Sequence, residues 1–127
     1  MIRKTLAVLA LTAGALTAAI AAPAAAADLD ARDNVRYMVC GDGVAEISYV
    51  DVDGNFDEDW ADLSQDCWFY DMYNGSDEYG YPDGTSYAAV SVVDDNGGRV
   101  SCTVWVNGVI EADVDDTSDH YAWASCD

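Results

Sequence analysis

Apolar and polar residues alternate most clearly near the end of the chain, where every second residue from 100 to 106 is Val or Cys. A period of two sends alternate side chains to opposite faces of a strand, so this stretch predicts a strand with one core-facing side. The core face holds Val100, Cys102, Val104 and Val106. Asn107-Gly108 follows, and this dipeptide is the strongest short signal for a tight hairpin turn. The stretch therefore predicts the central strand of a sheet.

Shorter strand-like stretches flank this one. They cover residues 35–40, 45–50, 67–73, 87–93, 109–114 and 120–126, and turn residues separate them. Asp53-Gly54 predicts a turn into a return strand near Phe56, whereas residues 57–66 are predicted to be irregular or to form a short helical turn, with Trp60 and Leu63 as core anchors. Residues 74–86 predict a long loop. Seven or eight short strands with turns between them predict an antiparallel β-sandwich, with a closed barrel as the alternative.

The first 27 residues have a different composition from the rest. Arg3 and Lys4 precede an uncharged, Ala- and Leu-rich run that contains Pro23 and ends in small residues. This pattern predicts a secretory signal peptide cleaved after Ala27. The run is also long enough to span a bilayer, so a retained anchor is the alternative. We expect a signal peptide at 1–27, a polar lead-in at 28–34 and a β-sandwich domain at 35–127, secreted or on the extracytoplasmic face of the cell envelope.

The charge is strongly acidic. Twenty-four Asp and Glu residues stand against five Lys and Arg, for a formal net charge of −19. Such a field repels nucleic acid and anionic membrane surfaces, so neither is expected as a partner. Adaptation to solubility or high salt explains the charge more simply than a specific basic partner does.

Catalytic and metal-binding patterns are weak. The acidic segment Asp51–Asp59 resembles a calcium loop, but the sixth and twelfth positions, Phe56 and Asp62, lack the Gly and Glu of an EF-hand. At most a weak affinity for divalent cations is expected. His120 is the only histidine, and no nucleophile motif accompanies it. We therefore predict no enzyme activity, no catalytic residue, no specific metal site and no cofactor.

The four cysteines, Cys40, Cys67, Cys102 and Cys126, predict two disulfides in a small exported domain. Three pairings are possible in principle. A zinc site has poor support, because no Cys-x-x-Cys spacing is present.

Several aromatic residues are predicted to lie outside the core. If Cys102 and Cys126 face inward, a period of two sends Trp105, Tyr121 and Trp123 outward. Tyr79 and Tyr81 in the long loop could extend the same surface. Trp and Tyr dominate interface hot spots, so these five residues are a candidate partner-binding patch. The alternative is that they only pair across strands or are covered by loops.

The order of these patterns resembles one family. Residues 35–41 (VRYMVCG), 45–55 (AEISYVDVDGN), 98–110 (GRVSCTVWVNGVI) and 121–126 (YAWASC) are similar to the soluble domain of the MmpS transport accessory proteins, which accompany large mycobacterial lipid and siderophore exporters. The resemblance implies an immunoglobulin-like β-sandwich and a non-enzymatic role beside an exporter. It also implies a Cys102–Cys126 disulfide, which leaves Cys40 to pair with Cys67.

Two departures from that family matter. Its members usually keep an N-terminal anchor, whereas this N-terminus has the features of a cleaved signal. Cys40, Cys67 and the segment 57–81 do not follow the family pattern. We therefore expect an exported binding or accessory domain whose partner is a large membrane exporter or another envelope protein. The alternative is a free secreted ligand-binding or inhibitor domain unrelated to export.

Overall fold

The computed structural model describes residues 27–127, which form ten β-strands. The strands are β1 (Ala27–Asp28), β2 (Asn34–Gly41), β3 (Val44–Val50), β4 (Phe56–Asp62), β5 (Trp68–Tyr73), β6 (Tyr87–Ala88), β7 (Val90–Asp94), β8 (Gly98–Val106), β9 (Val109–Ser118) and β10 (Ala122–Cys126). Within this range no helix is long and apolar enough to cross a membrane. The predicted signal peptide or anchor lies outside the described residues, apart from Ala27.

Two four-stranded antiparallel sheets make up the domain. One has the order β5-β2-β8-β9 and the other the order β10-β7-β3-β4. Buried side chains from both sheets form one hydrophobic core, as expected when alternate residues of each strand face inward. The predicted all-β sandwich is therefore confirmed, with the two-layer architecture that immunoglobulin-like domains share. The short strands β1 and β6 pair separately and bring Leu29 into the core.

Most of the predicted inward residues of the central strands are buried. Val100, Cys102 and Val104 on β8 are at most 1% exposed, whereas Val106 at the end of the strand is only partly buried against the core. On β2, the fully buried Tyr37 reaches across to the other sheet, where its hydroxyl donates to the Val50 carbonyl oxygen at 2.9 Å. The same hydroxyl accepts the Ala89 backbone N–H at 3.2 Å. One side chain thus joins the two sheets by hydrogen bonds.

Both disulfides have the expected pairing. Cys102–Cys126 lies in the core and links β8 of one sheet to β10 of the other. Cys40–Cys67 connects β2 to the residue just before β5, where both cysteines are partly exposed. The first disulfide therefore holds the two layers together, and the second holds two neighbouring strands of one layer.

The predicted turn at Asp53-Gly54 and the return strand beginning at Phe56 are present, but the prediction for residues 57–62 was wrong. They continue the strand as part of β4, which pairs with β3 along its length, instead of forming an irregular segment or a helical turn. β4 is an edge strand, so its polar side chains remain in water and no hydrophobic alternation is required. Trp60 is 61% exposed and is not a core anchor, whereas Leu63 is buried as predicted.

Three other strand boundaries differ from the prediction. The strand expected at 87–93 is divided at Ala89, whose N–H is bonded to the Tyr37 hydroxyl and whose carbonyl accepts the Val50 N–H. β9 continues through the expected turn to Ser118, because β8 offers it backbone partners as far as Gly98. The last strand begins at Ala122, two residues later than predicted.

Candidate ligand-binding groove

An open groove of about 700 Å³ lies on the outer face of the β5-β2-β8-β9 sheet. Three aromatic side chains and one ion pair line it, together with the start of β2 and the β8–β9 turn. The principal lining residues are Asn34, Arg36, Phe69, Asp71, Tyr73 and Trp105. Its volume falls within the usual range of small-molecule sites.

The aromatic side of the groove follows from the alternation of β5. Trp68, Tyr70 and Met72 face the core, where the rings of Trp68 and Tyr70 stack 6.2 Å apart. The intervening residues must therefore face out, and Phe69 and Tyr73 are 53% and 54% exposed. Both faces of this strand are aromatic, but only the inner one is covered by protein.

The cross-strand register brings residues from three strands into one row. Arg36 on β2 lies opposite Asp71 on β5 and, on its other side, opposite Trp105 on β8. Trp105 follows an irregularity in the β8–β9 pairing and is half-buried. The row therefore places an ion pair directly beside an indole ring system at the centre of the groove.

The β8–β9 turn at the end of the groove is held by hydrogen bonds. Asn107 and Gly108 have φ values of 51° and 79°, as a type I′ hairpin turn requires. The Asn107 side chain donates to Asp33 Oδ1 at 2.7 Å and accepts the Asn34 N–H at 3.0 Å. These bonds attach the turn to the start of β2 at this end of the groove.

The ion pair is bidentate. Arg36 Nε donates to Asp71 Oδ1 at 2.7 Å, and Arg36 Nη2 donates to Oδ2 at 3.0 Å. These hydrogen bonds lower the pKa of Asp71 and raise that of Arg36. The guanidinium carbon of Arg36 also lies 5.8 Å from the centre of the Phe69 ring, a cation–π distance. The two opposite charges on the floor of the groove thus cancel, although the protein as a whole is strongly acidic.

The predicted aromatic patch is divided between different parts of the domain. Trp105 lines the groove, whereas Trp123 is on β10 of the opposite sheet and is 53% exposed. Tyr121 immediately precedes β10 and is 55% exposed. Tyr79 and Tyr81 are exposed in the 74–86 loop, where both backbone N–H groups donate to Asp77 Oδ1. The expectation that Trp105 and Trp123 lie on nearby strands of one surface is therefore wrong, because they belong to different sheets.

Sequence reasoning missed most of the groove. Arg36, Phe69, Asp71 and Tyr73 were not among the candidate residues, although the alternation in residues 68–73 places the last three on one outer face. The missing information was the pairing of β2 between β5 and β8, which brings Arg36 to that face. Strand order depends on contacts between distant residues, and the periodicity of a single strand does not contain it.

The candidate calcium segment forms a hairpin turn between β3 and β4. Asp51 Oδ1 accepts the backbone N–H groups of Asp53 and Asn55, each at 2.9 Å. Among residues 27–127, no group of three or more His, Cys, Asp or Glu side chains is arranged to hold a metal ion. His120 is exposed in the short connection before β10.

No protein-family model, no curated protein and no solved structure matches the chain.

Proposed function

We propose that this protein is an exported, non-enzymatic binding domain that holds its ligand in the groove formed by β5, β2 and β8. The observation that carries the proposal is the row of Asp71, Arg36 and Trp105, flanked by Phe69 and Tyr73, around a space of about 700 Å³. Exposed aromatic side chains supply contact area with few rotatable bonds, so they bind a ligand at low entropic cost.

Two features support an extracytoplasmic setting for this activity. Both disulfides belong to the domain itself, and such bonds persist in oxidising compartments. The basic and apolar leader at residues 1–27 has the pattern of an export signal.

Fragment mapping by NMR tests the proposal. A library of small neutral, anionic and cationic fragments is titrated into isotopically labelled protein, and amide shifts are recorded for residues 27–127. We expect the shifted amides to cluster on the outward positions of β5, β2 and β8. Trp105→Ala should weaken those hits by about tenfold, the scale of losing one hot-spot contact. Hits that cluster on another surface, or that are unchanged by the substitution, would contradict the proposal.

Trp123→Ala is the matched control. It removes the same side chain from an exposed outward position on the opposite sheet, so it should leave the groove hits unchanged. A similar loss in both variants would indicate a general effect on the fold and not on the groove.

A second proposal is an accessory role beside a membrane exporter, similar to that of the MmpS proteins. The observation that favours it is the location of the resembling stretches, which form β2, β3, β8 and β10 and so contribute core strands of both sheets. Cross-linking of the full chain in its host envelope should capture a large transporter if this proposal is right. Recovery of the protein only from the culture fluid, with Asp28 at its N-terminus, would instead indicate a free secreted domain.

A further inference from the structure

We infer that the ligand of the groove is a neutral carbohydrate. This inference depends on the proposed binding function and adds the chemical class of the ligand. It follows from the combination of two exposed aromatic rings and one half-buried indole with a neutralised, bidentate ion pair.

The aromatic residues are spaced for a ligand longer than one ring. Phe69 and Tyr73 are four residues apart on β5, which corresponds to about 13 Å along a strand. Trp105 lies across β2 from them, about 10 Å away in the sheet direction, because two strand spacings separate β5 from β8. A pyranose ring carries apolar C–H groups on its faces, and these pack against the faces of aromatic rings. Two or three linked sugar units would therefore reach all three side chains.

The ion pair provides hydrogen bonds of both kinds. Arg36 has five N–H donors and directs two of them at Asp71, so three remain for a ligand. Each carboxylate oxygen of Asp71 accepts one bond from Arg36 and keeps acceptor capacity. Each hydroxyl of a sugar both donates and accepts a hydrogen bond. Two neighbouring hydroxyls can therefore bind together, one accepting from Arg36 and the other donating to Asp71.

Charge distinguishes a neutral sugar from other ligands. The net charge of −19 repels anions, and Arg36 is already neutralised by Asp71. A purely apolar ligand would cover the ion pair without replacing its hydrogen bonds to water, which is costly. A cation would be drawn to the many carboxylates elsewhere on the surface, because the Arg36–Asp71 pair gives the groove no net negative charge to attract it. A neutral, hydroxylated ligand with apolar faces avoids each of these penalties.

A glycan array carrying neutral and anionic oligosaccharides tests the inference, with hits measured again by NMR titration. We expect binding to neutral glycans, weakened about tenfold or more in Trp105→Ala and unchanged in Trp123→Ala. Asp71→Asn provides a second test, because it removes the negative member of the pair and leaves Arg36 charged. Asp71 is 59% exposed, so this variant should fold. Its preference should shift towards glycans that carry a carboxylate.

The outcomes separate this inference from the proposed function. If no neutral glycan binds but fragments still map to the groove, the carbohydrate assignment is wrong and the binding proposal stands. If neither glycans nor fragments bind there, both are wrong. Preferential binding of anionic glycans by the unaltered protein would also overturn the carbohydrate inference, since it contradicts the charge argument.

Discussion

Removal of the Tyr37 hydroxyl tests whether hydrogen bonds between the two sheets stabilise the sandwich. Tyr37→Phe keeps the ring that stacks on Tyr70 at 5.9 Å and deletes only the oxygen. The Val50 carbonyl oxygen and the Ala89 N–H then each lose a partner. Because the Tyr37 side chain is fully buried, water does not reach its hydroxyl position without opening the core.

The expected cost is set by those two groups. Leaving a buried donor or acceptor unsatisfied costs about 1–3 kcal/mol. Ala89 is partly exposed and can recover some hydration, so we expect the free energy of unfolding to fall by about 2 kcal/mol in total. The cavity left by one oxygen atom is small and adds little.

Urea denaturation of Tyr37→Phe, with the disulfides intact, measures this loss. Tyr79→Phe is the control, because it makes the same chemical change on a side chain that is 77% exposed. The control should change the free energy of unfolding by less than about 0.5 kcal/mol. If both variants lie within that limit, the Tyr37 hydroxyl does not stabilise the sandwich and the reasoning is refuted.

The pH dependence of stability is a second test of the role of the Tyr37 hydroxyl. Burial raises the pKa of Tyr37 above its ordinary value. A raised folded-state pKa contributes stability that is present below the unfolded-state pKa and lost as the pH rises beyond it. The protein should therefore lose stability above about pH 10, the ordinary pKa of tyrosine. Tyr37→Phe should lose less over that range, and equal losses in the two proteins would contradict this explanation.

Three further results are expected. Mild reduction should open Cys40–Cys67 before Cys102–Cys126, because only the Cys102–Cys126 disulfide is fully buried. Peptide mapping after alkylation measures the order of opening, and the reverse order would contradict this expectation. The melting temperature should rise with added sodium chloride, because screening relieves the repulsion between carboxylates. Calcium should raise the melting temperature no more than magnesium does. A gain that is selective for micromolar calcium would instead indicate a specific site. The Asp71 carboxyl should titrate below the usual range in carbon-13 NMR and return to it in Arg36→Met.

The sandwich could be predicted because each core strand carries its own pattern. Five inward positions of β2 and β3 alternate with outward ones and are buried as expected. They are Val35, Tyr37 and Val39 on β2, and Ala45 and Ile47 on β3. β4 could not be predicted in this way. Its pairing with β3 is made by backbone hydrogen bonds, which require no alternation of apolar side chains, and an edge strand in water needs no apolar face.

The candidate site was predicted only in part, for a different physical reason. Trp105 could be assigned an outward position from the alternation of β8 alone. Its partners Arg36 and Asp71 come from strands that are distant in sequence, and the pairing order of β5, β2 and β8 decides that they meet. The same limitation led to the grouping of Trp105 with Trp123, since both alternate outward but from opposite layers.

The indole N–H signals of the four tryptophans test the central claim most directly. The four side chains lie in different parts of the domain. Trp105 lies in the groove and Trp68 packs against the core. Trp60 and Trp123 are exposed on the two edge strands of the opposite sheet. Assignment by single Trp→Phe variants lets one titration with a neutral oligosaccharide identify the surface that binds. We expect the Trp105 signal to shift while the signals of Trp60 and Trp123 remain in place. A shift confined to Trp60 or Trp123, or no shift at Trp105, would contradict it.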